Sequence, residues 1–296
     1  MKLRGHETFP IRKGWLNKGI RNVIETPDVF ISRTENPMDI LGIGANMVKS
    51  LRYWMQATKL TYEPNFGRRN QELTDIGTII YRNDPYFEEI GTLWFVHYAL
   101  ATNIDDATSW YVFFNEFEMT EFSEDDFTKA IKKYISINYP DDDIPSDRTI
   151  SDDFKCIINT YYSKKRSSDN TKYNPEDNIE CPLTELGLID HISTKQGVRV
   201  YQKMSPKAED VPELVVLAII LNKYGNTNEI RISSLQNDKN SVGKVCCLDT
   251  ISLHNILYKL DNMGYLKVVR TAGLDVIKLT TEMTYLDCVE LYYNNL

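Results

Sequence analysis

The sequence predicts a mainly α (α+β) protein: two winged helix-turn-helix domains flanking a helical middle region. Three observations predict it. Apolar residues recur at helical spacing along most of the 296 residues. The order helix, short helix, turn, longer helix, hairpin occurs near the N-terminus and again in the last third. Between the two copies lie short apolar runs such as GTLWFVHYALATN and SWYVFFNEF, which read as buried core helices.

Residues 11–24 predict a first helix. Ile11, Trp15, Leu16, Ile20, Val23 and Ile24 form one face, and Arg12, Lys13, Lys18 and Arg21 the other. The segment 29–31, VFI, reads as a short extended piece. Pro37 suits the first position of a short helix capped by Asn36, ending at Gly42 and Gly44. A longer helix is expected over 45–58, with Met47, Val48, Leu51, Trp54 and Met55 as its apolar stripe. TYEPNFGRRNQELT then reads as two strands around a turn at Gly67, with Arg68 and Arg69 at the tip. A further helix starts at Thr74. Ser123 and Asp126 form a capping-box-like start for the helix in SEDDFTKAIKKYI. RTISDDFKCIINTYY is one more helix, and SKKRSSDNTKYNPEDN is polar and without periodicity.

The last third begins with a buried helix, PELVVLAIILNKYG, and a short strand, IRI. A short helix from Ser233 and a longer one in DTISLHNILYKLDNMG follow, then a hairpin turning at Ala272-Gly273. The expected organisation is a basic winged-helix domain over 1–82 and a helical middle domain over 83–162. A linker over 163–178 and a connector over 179–210 lead to a second winged-helix domain over 211–296.

Composition limits the function. Hydrophobic residues are 42% and charged residues 26%, ordinary for a soluble globular chain. No apolar run approaches the roughly 18–20 residues of a membrane span, and the start lacks the apolar core of a signal peptide. A cytoplasmic protein without membrane partner is expected. The five cysteines contain no C-x-x-C pair, so neither a disulfide framework nor a zinc cluster is indicated.

The net charge of −8 hides an asymmetry. Residues 1–70 hold twelve Lys or Arg against six Asp or Glu, a net of +6, and the remainder carries −14. A basic head on an acidic body is the electrostatic footprint expected for a polyanion. In a winged helix the second helix of the pair enters the major groove, so the partner expected is double-stranded DNA. The candidate contacts on helix 45–58 are Asn46, Lys49, Ser50, Arg52 and Tyr53, which lie off the apolar stripe. Asn46 carries the amide that pairs with adenine, and Lys49 can reach guanine or phosphate. Arg68 and Arg69 would meet the backbone or minor groove, and Arg12 and Lys13 complete the set. The C-terminal copy is almost neutral, eight basic against nine acidic residues over 211–296, which favours docking a protein.

No P-loop, dinucleotide fingerprint, nucleophile elbow or H-E-x-x-H motif is present. The four histidines are scattered, and His97 in its apolar helix reads as a core residue. The acidic clusters 124–126, 141–143 and 152–153 are explained by helix capping, a loop run and a helix start. No metal site and no cofactor are expected. The His-Glu pair in GHETF, residues 5–9, could grip a phosphate or move a proton, but an arm docked on the first helix is the simpler reading.

At GHETFPIRKGWLNKG and LGIGANMVKSLRYWMQATKL the sequence resembles the domain of unknown function 4007 family. ELTDIGTIIYRNDPYFEEIGTLWFVHYALATN, SWYVFFNEF, RTISDDFKCII and CPLTELGLI extend the resemblance over most of the chain. It implies a component of bacterial DNA phosphorothioation and related phage-defence loci. Such a component works on DNA beside sulfur-transfer and ATPase proteins, with strand nicking attributed to it. No catalytic residue carries over. The rival readings are a winged-helix transcription regulator and a non-catalytic scaffold of the modification complex, and a homodimer is left open.

Overall fold

The computed structural model describes residues 1–64, 70–163, 180–195, 197–225, 227, 229–271 and 274–296. The first helix, α1 (Trp15–Glu25), begins four residues later than the apolar spacing predicts. Before it the backbone turns through Gly14, at φ 82, and Trp15 N–H donates to the Arg12 carbonyl at 2.9 Å. That left-handed conformation suits glycine and sets the start of the helix. The 29–31 segment is not extended. Val29 and Ile31 donate to the carbonyls of Thr26 and Asp28, making successive turns that sink Val29 and Phe30 into the core.

The helical pair expected next is present. Asn36 accepts from Met38 N–H to cap α2 (Pro37–Leu41), and Gly42 closes it at φ 60. Helix α3 (Ala45–Ala57) follows. Strands β1 (Thr61–Tyr62) and β2 (Glu72–Leu73) pair antiparallel, Thr61 opposite Leu73. The turn at Gly67, with Arg68 and Arg69, lies outside the described residues. Thr74 caps α4 (Asp75–Asn83) by accepting from Gly77 N–H at 3.0 Å.

The centre is apolar on every side. Helix α5 (Ile90–Thr102) buries Gly91 through Tyr98, and α6 (Thr108–Asn115) is buried along its whole length. A helix without a polar face belongs inside a protein. Around it stand the short β3 (Glu121–Phe122), α7 (Glu124–Asn138) and α8 (Asp147–Tyr161). Both hydrogen bonds of the expected capping box form between Ser123 and Asp126. The 163–178 linker falls almost wholly outside the described residues.

Beyond a 3-10 turn at Pro182–Leu186, the region expected as a connector holds a hairpin, β4 (Ile189–Lys195) and β5 (Val198–Lys203). With β3 it makes a three-stranded sheet of order β3-β5-β4. The last third runs α9 (Glu213–Tyr224), β6 (Ile230–Arg231), α10 (Ile232–Asn237), α11 (Val242–Val245), α12 (Thr250–Asn262), β7 (Leu266–Thr271) and β8 (Leu274–Leu279). Its sheet has the order β6-β8-β7, all antiparallel. The chain then adds α13 (Tyr285–Asn294), opened by a capping box between Thr284 and Asp287.

One continuous cluster of buried side chains runs from Ile11 to Tyr293 through all these parts. Helix α13 ties the last residues of the chain to α5 within that cluster. The Tyr292 hydroxyl accepts from Gly91 N–H at 3.0 Å, and those of Tyr293 and Thr92 lie 2.6 Å apart. At Gly91 a Cβ would stand 2.2 Å from the Tyr292 ring, so only glycine permits this approach.

Candidate nucleic-acid interface

Twelve basic residues in the first 70 give the head its charge, and the fold sorts them. Lys2 and Lys59 pair with Asp106, Arg4 with Asp152, and Arg52 with Glu63. Arg12, Lys13, Lys18, Arg21, Arg33 and Lys49 have no carboxylate partner among the described residues. Among the described residues of the head, these six are the basic side chains that meet no carboxylate.

Four of them line adjoining clefts along α1. Arg12 and Lys13 border a cleft of about 250 Å³ that also includes Gly14 and Asn17. Gly14 and Asn17 recur in the second cleft, about 390 Å³, with Lys18, Arg21 and Gly42. Arg12 is half-buried, its guanidinium 5.7 Å from the Phe9 ring centre and 5.5 Å from that of Trp15. Those aromatic contacts fix its direction. Lys18 Nζ donates to the Leu41 carbonyl at 2.8 Å, covering an open end of α2. Lys13 and Arg21 are exposed. Glu25 and Asp39 border the second cleft and Glu88 and Glu185 the first, so the basic surface has acidic margins.

Helix α3 begins three residues after Gly42, which borders the second cleft. Asn46 follows Gly42 by four residues, so its Cα is at most about 14 Å from that of Gly42. Asn46 and Lys49 are exposed on its first turns, as the periodicity requires. Two other expected contacts are not available. Ser50 is fully buried and its hydroxyl donates to the Phe9 carbonyl at 3.3 Å. Tyr53 is 5% exposed, and burial, with Asp153 nearby, pushes its phenol up from the ordinary value. The stripe is wider than five residues because α3 is packed from a second side. Arg52 is half-buried, with Nε and a terminal nitrogen both 2.7 Å from Glu63 Oε1. Gln56 donates to the same oxygen at 3.0 Å. Arg52 thus tethers the segment after β1 to α3.

What packs on α3 from that second side is the N-terminal arm. The arm docks on α3, α6 and α8 rather than on α1. His6 is fully buried, its ring 6.0 Å from that of Trp54 and nearly parallel, and 5.9 Å from that of Trp110. Thr8 N–H donates to His6 Nδ1 at 3.0 Å, so Nε2 carries the hydrogen and donates to Asp153 Oδ1 at 2.7 Å. Asp153 also accepts from Arg4 N–H at 2.8 Å and from the Ser109 hydroxyl. A further hold comes from Trp54 Nε1, which donates to the Phe9 carbonyl at 2.9 Å. These groups are sealed from solvent, so the geometry is that of an anchor for the segment leading into Arg12 and Lys13.

His97 is the core residue its sequence position predicted. Nε2 donates to the Val245 carbonyl and Nδ1 accepts from the Tyr161 hydroxyl, both at 2.8 Å. Burial lowers its pKa to about 4. Among the described residues no three His, Cys, Asp or Glu side chains converge as metal ligands, and no helix is long and apolar enough to cross a membrane.

Three comparisons bear on this arrangement. Residues 3–293 match the model of the family described as Protein of unknown function (DUF4007). No curated protein matches the chain. Two solved structures, a magnesium ion-bound SspB crystal structure and an SspB crystal structure, are similar over the whole length. Each superposes with a TM-score of 0.85 at 26% identity, covering 99% of this chain and 88% of that one.

Proposed function

The chain belongs to the DUF4007 family, and from that premise we propose that it is the double-stranded-DNA-binding component of a bacterial DNA phosphorothioation and phage-defence system. In this reading it engages target DNA for sulfur modification, beside sulfur-transfer and ATPase proteins of the same locus. The likeness to SspB supports the locus. The observation that carries DNA binding is the set of six cations of the head without a carboxylate partner among the described residues, four of them lining the α1 clefts and one, Lys49, exposed on α3.

The topology supports the same reading. In this reading the C-terminal order of helix, strand, paired short helices, longer helix and hairpin, with sheet order β6-β8-β7, makes a winged helix. In the head, α2, α3 and the β1–β2 pair would supply the corresponding helix-turn-helix and wing. The C-terminal copy takes a protein partner in this reading. Its α12 exposes Ile251 and Tyr258, and its charge is nearly balanced.

Strand nicking belongs to the proposal through the family resemblance alone. One of the similar SspB structures holds magnesium. Among the described residues no three His, Cys, Asp or Glu side chains converge, and no catalytic residue is assigned.

The deciding experiment is duplex binding by the full chain over a range of salt. Each phosphate contact contributes about 0.9 to the slope of log affinity against log salt. Four or more contacts should give a slope steeper than about −3.5. A flat dependence, or no binding at low salt, overturns the reading. Nicking is tested separately, with supercoiled plasmid in the presence and absence of magnesium.

A further inference from the structure

We propose that a second cleft, between α7, α8 and the β4–β5 hairpin, holds an unpaired stretch of DNA. This deepens the DNA-binding reading and rests on it, because the unpaired strand would come from the same bound DNA. The cleft measures about 1020 Å³. That is near the upper end of the roughly 300–1,000 Å³ of small-molecule sites, room for one or two nucleotides and not for a duplex.

Its walls are aromatic. Phe154, Tyr162 and Tyr201 line it. Tyr201 lies 6.0 Å from Tyr162 and 6.0 Å from Phe154, ring centre to ring centre, in edge-to-face contacts that hold the rings in place. Phe154 and Tyr201 are themselves buried and back Tyr162, the half-buried ring on which a base can stack without regard to sequence.

Charge makes the occupant anionic. Three carboxylates border the cleft, Glu124, Asp125 and Asp147, and each is met by a lysine: Lys155 at 4.0 Å, Lys129 and Lys132. Arg148 and Arg199 line the same cleft, exposed and without a carboxylate partner among the described residues. Two guanidinium groups are thus left over above an aromatic wall, on a protein body that is otherwise acidic. Asn159, exposed on α8, adds an amide for base edges. Arginine with stacking rings is the combination single-stranded nucleic acid uses.

The test is fluorescence anisotropy of the full chain with two probes, a short oligothymidylate and a duplex. Arg148 and Arg199 are surface side chains, so Arg148→Ala with Arg199→Ala leaves the fold intact. Oligothymidylate should bind the wild type and lose about tenfold or more in affinity to this variant, with duplex binding unchanged. Tyr162→Leu should also weaken the oligothymidylate alone. Failure of the wild type to bind oligothymidylate while it binds duplex overturns the inference and leaves the DNA-binding reading standing. Equal loss of both probes in the arginine variant overturns it as well, since the cleft would then be part of the duplex surface. Oligothymidylate binding that ignores the arginine variant, or a polyglutamate peptide that competes as well as the oligonucleotide, also overturns it. If neither DNA binds, both readings fall.

Discussion

His6 and Asp153, 147 residues apart in the chain, meet through a 2.7 Å hydrogen bond from Nε2 to Oδ1 inside the core. The bond ties the N-terminal arm to α8, and Phe9, three residues on, is held by Trp54 and Ser50. Arg12 and Lys13 leave the core directly after. The position of the basic groove therefore depends on a buried polar contact well away from it.

His6→Ala should lower stability by about 2–4 kcal/mol, because it removes a buried donor to a carboxylate and leaves an aromatic-sized void. Asp153→Ala should cost at least as much, since His6, Ser109 and Arg4 N–H all lose an acceptor. Urea unfolding measures both. An unchanged midpoint for either variant would show that the arm is not docked as described.

Lys13→Ala with Lys49→Ala should weaken duplex binding and lower the salt slope by about 1.8, two contacts' worth. Ser50→Ala removes a buried hydrogen bond and should leave duplex affinity unchanged while lowering stability by about 0.5–1.5 kcal/mol. Tyr53→Phe alters a buried ring whose hydroxyl has no hydrogen-bond partner among the described residues, and should also leave duplex affinity unchanged. A reversed pattern would place the duplex on a different surface.

Burial holds the His97 pKa at about 4 in the folded protein, against 6.5 for an ordinary histidine. Between those pH values the unfolded chain binds a proton that the folded chain does not. Folding stability should therefore fall as the pH drops from about 6.5 towards 4, by up to about 3 kcal/mol from this residue. Comparing unfolding free energies at pH 7 and pH 5 for the wild type and His97→Gln isolates the effect. A variant that keeps the full pH dependence would assign it to other groups.

Ending the chain at Thr284 removes α13, with the buried Cys288, Val289, Tyr292 and Tyr293 and the hydroxyls that meet Gly91 and Thr92. The surface it leaves on α4, α5 and α9 is apolar, so the shortened chain should unfold at lower temperature and self-associate. Gly91→Ala should reproduce part of the loss without shortening the chain, through its clash with Tyr292. Scanning calorimetry and light scattering read both. A shortened chain as stable as the full one would make the C-terminal helix an accessory.

The sequence by itself determined what local forces decide. The order of helices, the Asn36 and Ser123 caps, the closing turn at Gly42 and the β1–β2 and β7–β8 pairs were legible, because capping and periodicity act over a few residues. So was the exposure of Asn46 and Lys49 and the burial of His97. The capping box at Thr284 carries a local signal as well, its Thr-x-x-Asp spacing, whereas β4 lacks clean alternation, with Ile189 buried and Ile192 exposed across a bulge. Tertiary structure alone decided which residues of α3 face inward. Periodicity assigns one packing face, whereas α3 is covered from two sides, so Ser50 and Tyr53 are buried by an arm more than forty residues away in the chain. It also decided which cations are neutralised and which remain, since the partners of Lys2, Arg4 and Lys59 come from segments 47 to 148 residues distant, a separation that no local pattern encodes.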